Sequence, residues 1–372
     1  MHKQTENIPC IRPANITDID SLVGIEQSCF TTDRISRRQF RYLLNKANAS
    51  ILVITINGNI KGDVVILYSR ATSIARLYSI ALLESVRGQG LGQQLIKAAE
   101  NEAWRHQRAY IRLEVETENH TALSLYKKTG YRVICELNNY YQDRTSAIRM
   151  EKSLAPDLHP KLKPVPYFEQ SLDFTCGSAS LMMAMKTLKP ELVLNRKLEL
   201  RLWREATTIF MTSGHGGCGP YGLALAASKR GFRVKVFVSV KETHLIDSVR
   251  SEHKKEVMRL VQDDMHDQLC SLNIPISETA ISVDEIEKSL LNDGIPLVLI
   301  SSWQIYQARV PHWVVVTGTD ESFIYVNDPF VDREEGETPV DSIHMPILKE
   351  KFETMARYGR VGLQAMVVLH NA

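Results

Sequence analysis

Apolar and polar positions in this chain recur in two rhythms, and the changes between them mark the elements. Residues 7 to 12 read as a short strand. Thr17 then stands at a cap position, and Ile19, Leu22, Val23, Ile25 and Phe30 follow along an amphipathic helix. A second helix is predicted near Ser36 to Lys46. The run ILVITINGNIKGDVVILYSR is two β-branched segments about Asn57-Gly58, a hairpin signal because both turn positions tolerate positive φ. Another apolar strand, Leu77 to Leu83, leads directly into RGQGLG, and a helix runs on to about His106. Further on come a strand at Tyr110 to Thr117, a helix from Asn119 to Thr129, and strands near Tyr131 to Leu137 and Ala147 to Lys152. This order predicts an α/β layer architecture with a mixed, mostly antiparallel sheet.

The segment SLAPDLHPKLKPVP brings Pro156, Pro160, Pro164 and Pro166 close together, a density that forbids helix or central strand. The expected organisation is a domain at 1 to 153, a linker at 154 to 166 and a second domain at 167 to 372. The second part opens with helices around Cys176 to Leu188 and Glu191 to Phe210, then the glycine-rich SGHGGCGPYG, then a helix from Pro220 to Arg230. Strands are predicted at Phe232 to Val240, Leu297 to Ser302, Trp313 to Thr319, Phe323 to Asn327 and Leu363 to Leu369. Helices first and strands later make this an α+β domain. The charged segment Glu242 to Asp267 reads as a solvated helix or an insertion, and no internal repeat is found.

Length and composition agree with two ordinary globular domains. A chain of 372 residues exceeds the size at which one core keeps growing, and 44% hydrophobic with 24% charged residues lets each half bury its own. Lys and Arg total 45 against 43 Asp and Glu, without long blocks of one sign, so no nucleic-acid or anionic-lipid partner is implied. Six cysteines without a C-x-x-C pair suit neither a disulfide framework nor a zinc ribbon, and point to a reducing cytoplasm. The start MHKQTENIPCIRPANITDID lacks the apolar core of a secretion signal, and no stretch approaches the roughly 20 apolar residues that span a bilayer.

Two places carry chemistry. In Arg87-Gly88-Gln89-Gly90-Leu91-Gly92 a strand gives way to a helix, so backbone N–H groups can point outward at the positive helix terminus and cradle a pyrophosphate. Such a loop is often only a turn, and the surrounding residues decide. Downstream stands LEVETENHTALSLYKKTGY, with Glu114, Asn119, Ala122, Leu125, Tyr126, Gly130 and Tyr131, followed by Asn139-Tyr140-Tyr141. Together these resemble the GNAT superfamily, and within it the ribosomal-protein alanine N-acetyltransferases, over residues 8 to 152. The resemblance implies acetyl-CoA as cofactor, with residues 87 to 92 on its pyrophosphate and Asn119 on its pantetheine arm. It also implies that the Leu82 amide meets the acetyl carbonyl, Glu114 is the general base and Tyr126 the general acid. Alone, Glu114 could be a solvated strand residue and Tyr126 a core one.

In YFEQSLDFTCGSASLMMAM, Cys176 is followed by small residues and an apolar helix, which places its sulfur at a helix N-terminus where the dipole favours thiolate. Gln170 lies upstream, where its amide could join the Cys176 N–H as an oxyanion hole. His312 begins the strand HWVVVTG and Asp328 ends the next in VNDP, so imidazole and carboxylate could complete a triad. As alternatives, Cys176 could be a buried structural thiol, His312 a packed strand residue and Asp328 a turn former. The order Gln, Cys, His, Asp resembles papain-like cysteine peptidases, and among them the double-glycine leader peptidases, over residues 165 to 330. Those usually precede a membrane exporter, which is lacking here, so the substrate is expected to differ. His215 and Cys218 do not make a metal site. The expected function is acetyl transfer to a primary amine of a peptide or protein, joined to peptide or amide hydrolysis. Kept beside it are an acetyltransferase whose second domain only binds peptides, and a ligand-sensing module.

Overall fold

The computed structural model describes residues 8–70, 72–154, 161–207, 216–239, 244–246, 251–306, 310–333 and 339–371. The chain divides into two compact units, residues 1–158 and 159–372.

The first unit begins with β1 (Cys10–Pro13) and a 3-10 turn capped by Asn15, whose side chain accepts from Thr17 N while Asp18 answers back. The cap is thus Asn15, because Thr17 is already inside the turn. Helices α1 (Ile19–Cys29) and α2 (Arg37–Asn45, capped by Ser36) follow, then β2 (Ala49–Ile56), β3 (Asn59–Tyr68) and β4 (Ile74–Leu82). Asn57 and Gly58 at the hairpin turn have φ of 50° and 79°. The remainder is α3 (Leu91–Arg105), β5 (Tyr110–Glu116), α4 (His120–Lys128), β6 (Arg132–Leu137) and β7 (Ala147–Ser153).

These strands make a seven-stranded sheet in the order β1-β2-β3-β4-β5-β7-β6. All neighbours are antiparallel except β4 and β5. Alternation sorts the two faces: Leu52 and Ile54 join Leu95, Ile96, Ile111 and Met150 on one side, while Ile51 and Val53 join Leu22, Phe40 and Val65 on the other. Leu95, Ile96 and Ile111 are at most 1% exposed. Burying each such side chain contributes about 1.5 to 3 kcal/mol.

One irregularity shapes the site. Parallel pairing of β4 with β5 runs from Ile74–Tyr110 only to Leu77–Leu113, although both strands continue. At the same point the β3 register steps from Ile66–Leu77 to Val65–Ser79, so Tyr78 is an extra, bulged residue. A bulge bends its strand and raises the local twist, which opens a fork between the strands beyond Leu77 and Leu113.

The second unit holds β8 (Lys161–Leu162), α5 (Cys176–Leu188), α6 (Arg196–Ala206), α7 (Pro220–Ser228), β9 (Arg233–Val238), α8 (Glu252–Ser271), β10 (Ile276–Ser277) and α9 (Val283–Leu291). Then come β11 (Ile295–Ser301), α10 (Trp303–Tyr306), β12 (Pro311–Thr319), β13 (Phe323–Asn327), β14 (Met345–Leu348), α11 (Lys349–Met355) and β15 (Ala365–His370). The sheet runs β10-β9-β15-β11-β12-β13-β14, with β8 added on β12. Residues of β12 alternate between two cores, Trp313 and Val315 facing that of α5 and α7, Val314 and Val316 facing that of α9 and α11. Every residue from Cys176 to Met185 is buried, so α5 is a central helix.

Three expectations change here. The proline-rich stretch contains β8, a two-residue pairing with Gly318 and Thr319 in which a Cβ on Gly318 would lie 2.5 Å from Lys161 O. Only glycine permits that approach. From Glu252 the charged segment enters the twenty-residue α8, which is not merely solvated: Met258, Met265 and Leu269 pack into the core, while residues 242–243 and 247–250 lie outside the described residues. The second helix starts at Arg196, because Asn195 caps it by accepting from Leu198 N. Pro156, Pro160, His215 and residues 208–210 lie outside the described residues.

Candidate functional site

In the first unit the fork and the glycine loop meet. Leu83 N donates to Lys61 O at 2.9 Å, so ladder alternation turns the Leu82 N–H away from β3, towards the side from which β5 has departed. Gly88 and Gly90 have φ of 75° and 76°, and a Cβ on either would stand in open space. Gly90 is the N-cap of α3 and has no side chain to offer, so the first N–H groups of that helix keep their hydrogens for an anion. Gly92 admits the Leu125 side chain, 3.4 Å from where its Cβ would be, and so lets α4 approach. Arg87 Nε donates to Leu82 O at 2.9 Å, which ties the loop to the strand end. Gln89 sits on the loop, and Leu91 is its buried anchor into the core.

Asn119 caps α4, accepting from Ala122 N at 3.1 Å, so its carbonyl oxygen is engaged and its amide hydrogens remain to donate. Tyr126, on α4, is 5% exposed and meets Tyr131 edge-on at 5.6 Å. Burial pushes its phenol above the ordinary range, so it holds its proton at neutral pH, as a donor must.

Glu114, the expected base, is held between two arginines. Arg76 Nε donates to its Oε2 at 2.8 Å and Arg149 Nε to its Oε1 at 2.7 Å, and the carboxylate side chain is 5% exposed. Arg76 also donates to the Tyr140 hydroxyl. Each oxygen thus accepts from one guanidinium group and keeps a further lone pair, so the two arginines orient the carboxylate. Arg76 and Arg149 escaped the sequence reading because strand arginines look solvated, and only the register that sets β7 against β5 reveals the pairing.

In the second unit Cys176 is the first residue of α5 and His312 lies at the start of β12, buried at 6% exposure. Cys176 lies near enough to act on the imidazole, and His312 Nε2 lies 2.6 Å from Asp328 Oδ1. Burial alone would lower the imidazole's pKa, but Asp328 and Cys176 outweigh it and raise it to about 10. Gln170 donates its backbone N–H to Pro329 O at 2.8 Å, and its Nε2 gives one hydrogen to Leu172 O at 3.0 Å. A second hydrogen on Nε2 is left for an oxyanion, while Gln170 Oε1 is buried without a hydrogen-bond partner.

Supporting groups went unread in the sequence. Tyr306 donates its hydroxyl to Asp328 Oδ2 at 2.9 Å and Phe330 N donates to Oδ1 at 2.8 Å, so the carboxylate is held from several sides. Glu199, fully buried on α6, accepts from Ser171 N at 2.8 Å and Thr175 Oγ1 at 2.6 Å, fixing the turn ahead of Cys176. A glutamate in so charged a helix reads as solvated, and the serine and threonine before Cys176 are the only hint of its partners. Cys218 packs beside Gly177, and burial together with neighbouring Cys176 pushes its thiol up. Among the described residues no group of three or more His, Cys, Asp or Glu could hold a metal ion, and no helix is long and apolar enough to cross a membrane.

Comparison with known proteins places both units. Residues 165–370 match the Peptidase C39-like family and residues 16–154 the acetyltransferase (GNAT) domain. A Bacillus subtilis protein named for N-acetylation of alanine on ribosomal protein bS18 is 32% identical over 133 residues, which are 36% of this chain and 87% of its own. An N-alpha-acetyltransferase of Sulfurisphaera tokodaii is 29% identical over 157 residues, 39% of this chain and 92% of its own. The solved structure of Ard1 from Thermoplasma volcanium, 30% identical, covers 40% of this chain and 98% of its own with a TM-score of 0.37. The chain therefore belongs to the GNAT N-acetyltransferases through its first unit and to the Peptidase C39-like family through its second. Its cofactor is acetyl-CoA, which the open glycine loop and the outward Leu82 amide fit.

Proposed function

We propose that the first unit acetylates the α-amine of a peptide or protein, and that the second is a papain-like domain that hydrolyses a peptide or amide bond. The observation that carries the first reading is the fork between β4 and β5 beside the Gly88 and Gly90 loop. Relatives named for α-amine and ribosomal-protein acetylation support the acceptor class. Bound there, acetyl-CoA supplies an acetyl group held as a thioester. Residues 87 to 92 hold its pyrophosphate through backbone N–H groups, Asn119 donates to its pantetheine arm, and the Leu82 N–H polarises the acetyl carbonyl. Tyr126 donates the proton that the leaving sulfur needs. Glu114, held by Arg76 and Arg149, lines the acceptor site.

The second reading is carried by the contacts among Cys176, His312 and Asp328. Cys176 is the nucleophile, aided by the α5 dipole and the imidazolium, and Asp328 orients the ring. Gln170 Nε2 and the Cys176 N–H stabilise negative charge on the attacked carbonyl oxygen. The test is to incubate the full chain with acetyl-CoA and a peptide library of free α-amines, and follow masses. Acetylated peptides without cleavage would leave the second unit a binding domain, and cleavage that survives Cys176→Ala would remove the nucleophile assignment.

A further inference from the structure

Among the buried carboxyl groups of the first unit, Asp63 and Glu26 lie together, and the acetyl-transfer reading uses neither. Asp63 on β3 stands opposite Ala81 of β4, and Ser79 shares that face because successive residues alternate. From α1, which packs over the same face, Glu26 reaches down to β4. Its Oε1 accepts from Ser79 Oγ at 3.2 Å and its Oε2 from Ile35 N at 3.1 Å. One turn further along α1, Cys29 donates its thiol hydrogen to Leu82 O at 3.3 Å. Glu26 is 1% exposed and Asp63 fully buried, with neither Asp63 oxygen hydrogen-bonded.

The position matters more than the burial. Ser79 is the first paired residue past the Tyr78 bulge, on the stretch of β4 that has lost β5, and it is half-buried. Its backbone therefore borders the fork, and its hydroxyl, on the α1 face, touches Glu26. A hydroxyl so placed can receive a proton on its lone pair while passing its own to a carboxylate. Glu114, by contrast, is already bonded to a guanidinium group through each oxygen.

We propose that the proton of the acceptor ammonium leaves through Ser79 Oγ to Glu26, so that Ser79 and Glu26 are the proton exit of the transferase and Asp63 is a neutral, protonated wall behind them. The nitrogen keeps its lone pair for attack, Ser79 ends as it began, and Glu26 gains one hydrogen until solvent removes it.

Burial raises Glu26 from the carboxylate norm, opposed by the Ile35 and Ser79 hydrogen bonds and by the Arg34 charge. Burial, with the nearby charge of Glu26, raises Asp63 well above its norm. The other groups facing this pocket are Cys29, raised chiefly by burial, and Arg87, which lies against that thiol. Burial thus shifts Glu26 in the direction that makes a carboxylate a stronger base.

The test measures coenzyme A release by the full chain with acetyl-CoA and a pool of synthetic peptides bearing free α-amines, over pH. Glu26→Gln keeps an acceptor for Ile35 N and a partner for Ser79, so a purely structural role would survive it. As a proton acceptor its loss should lower kcat roughly a hundredfold or more while KM for acetyl-CoA holds. The acid limb of the wild-type profile should vanish with it. Ser79→Ala should lower kcat similarly and Ser79→Thr restore most of it. Asp63→Asn should leave the acid limb in place, whereas a move to lower pH would show Asp63 ionised and overturn its neutral role. If Glu26→Gln retains kcat and the acid limb, while Glu114→Gln removes that limb, the exit lies at Glu114 and this proposal fails.

Discussion

His312 Nε2 lies 2.6 Å from Asp328 Oδ1, and both side chains are buried. The pair makes stability depend on pH in a definite direction. The imidazole rises from 6.5 to about 10 on folding, so its contribution is complete below about pH 6.5 and is lost as pH climbs through about 10. Urea midpoints measured across that interval should fall with pH in the wild type and fall less in His312→Ala. Parallel slopes in the two proteins would mean the ring is neutral when folded.

The same imidazolium bears on Cys176. Iodoacetamide at limiting dose should label Cys176 ahead of buried Cys218 and of Cys29, whose thiols are pushed up by burial. His312→Ala should slow Cys176 labelling near neutral pH, and the wild-type advantage should disappear above about pH 10, where the ring loses its charge. Equal labelling rates in wild type and variant would remove the imidazolium from the account of Cys176 reactivity.

Tyr306 offers a milder probe. Tyr306→Phe removes one hydrogen bond to Asp328 Oδ2 and keeps the ring beside Phe330, so cleavage should slow by about 1 kcal/mol, roughly fivefold. A loss as large as that of Asp328→Asn would assign the hydroxyl a more direct part.

Gly90→Val tests the cofactor loop. There is room for the side chain, but a φ of 76° is left-handed, and a residue with a Cβ relaxes out of it. The strain, about 1 to 2 kcal/mol, should weaken acetyl-CoA binding roughly 5- to 30-fold by calorimetry, and more if the loop rearranges. Unchanged affinity in a folded variant would detach the loop from the pyrophosphate.

Tyr126→Phe deletes a proton donor and keeps the packed ring, so kcat should fall roughly a hundredfold to ten-thousandfold while acetyl-CoA affinity holds. Glu114→Gln should instead show itself first in stability. It leaves Arg149, with a side chain 4% exposed, beside a neutral amide. Breaking such a buried pair costs about 3 to 5 kcal/mol, visible as a lower melting temperature. A melting temperature equal to wild type would mean solvent or a neighbour satisfies the arginine.

Much of the fold was legible because its signals are local. The Asn57-Gly58 turn, the helix from Ser36 and the small and apolar Cys176 to Met185 run each declare themselves within a few residues. The Cys, His and Asp of the second site were legible from their places at element ends. What stayed hidden depends on pairing between distant segments. Whether Glu114 is free or clamped is decided by β7 and β4, and Glu26 reads as a solvated helix residue until α1 is laid over Ser79. The bulge at Tyr78 leaves no mark in a run of apolar residues, although it sets where β4 and β5 part. Glu199 likewise gains its role only when α6 meets the turn before Cys176.

The alternation along β12 carries a consequence for how this protein could change. Trp313 and Val315 fill one core, Val314 and Val316 the other, and His312 heads the same strand. Inserting or deleting one residue between Pro311 and Val316 would swap the occupants of both cores as it swung the imidazole away from Asp328. A lineage or a designer could not retune the position of His312 by sliding its strand. Adjustment must come through the contacts that hold its partners, the Tyr306 and Phe330 bonds to Asp328 and the Glu199 bonds ahead of Cys176.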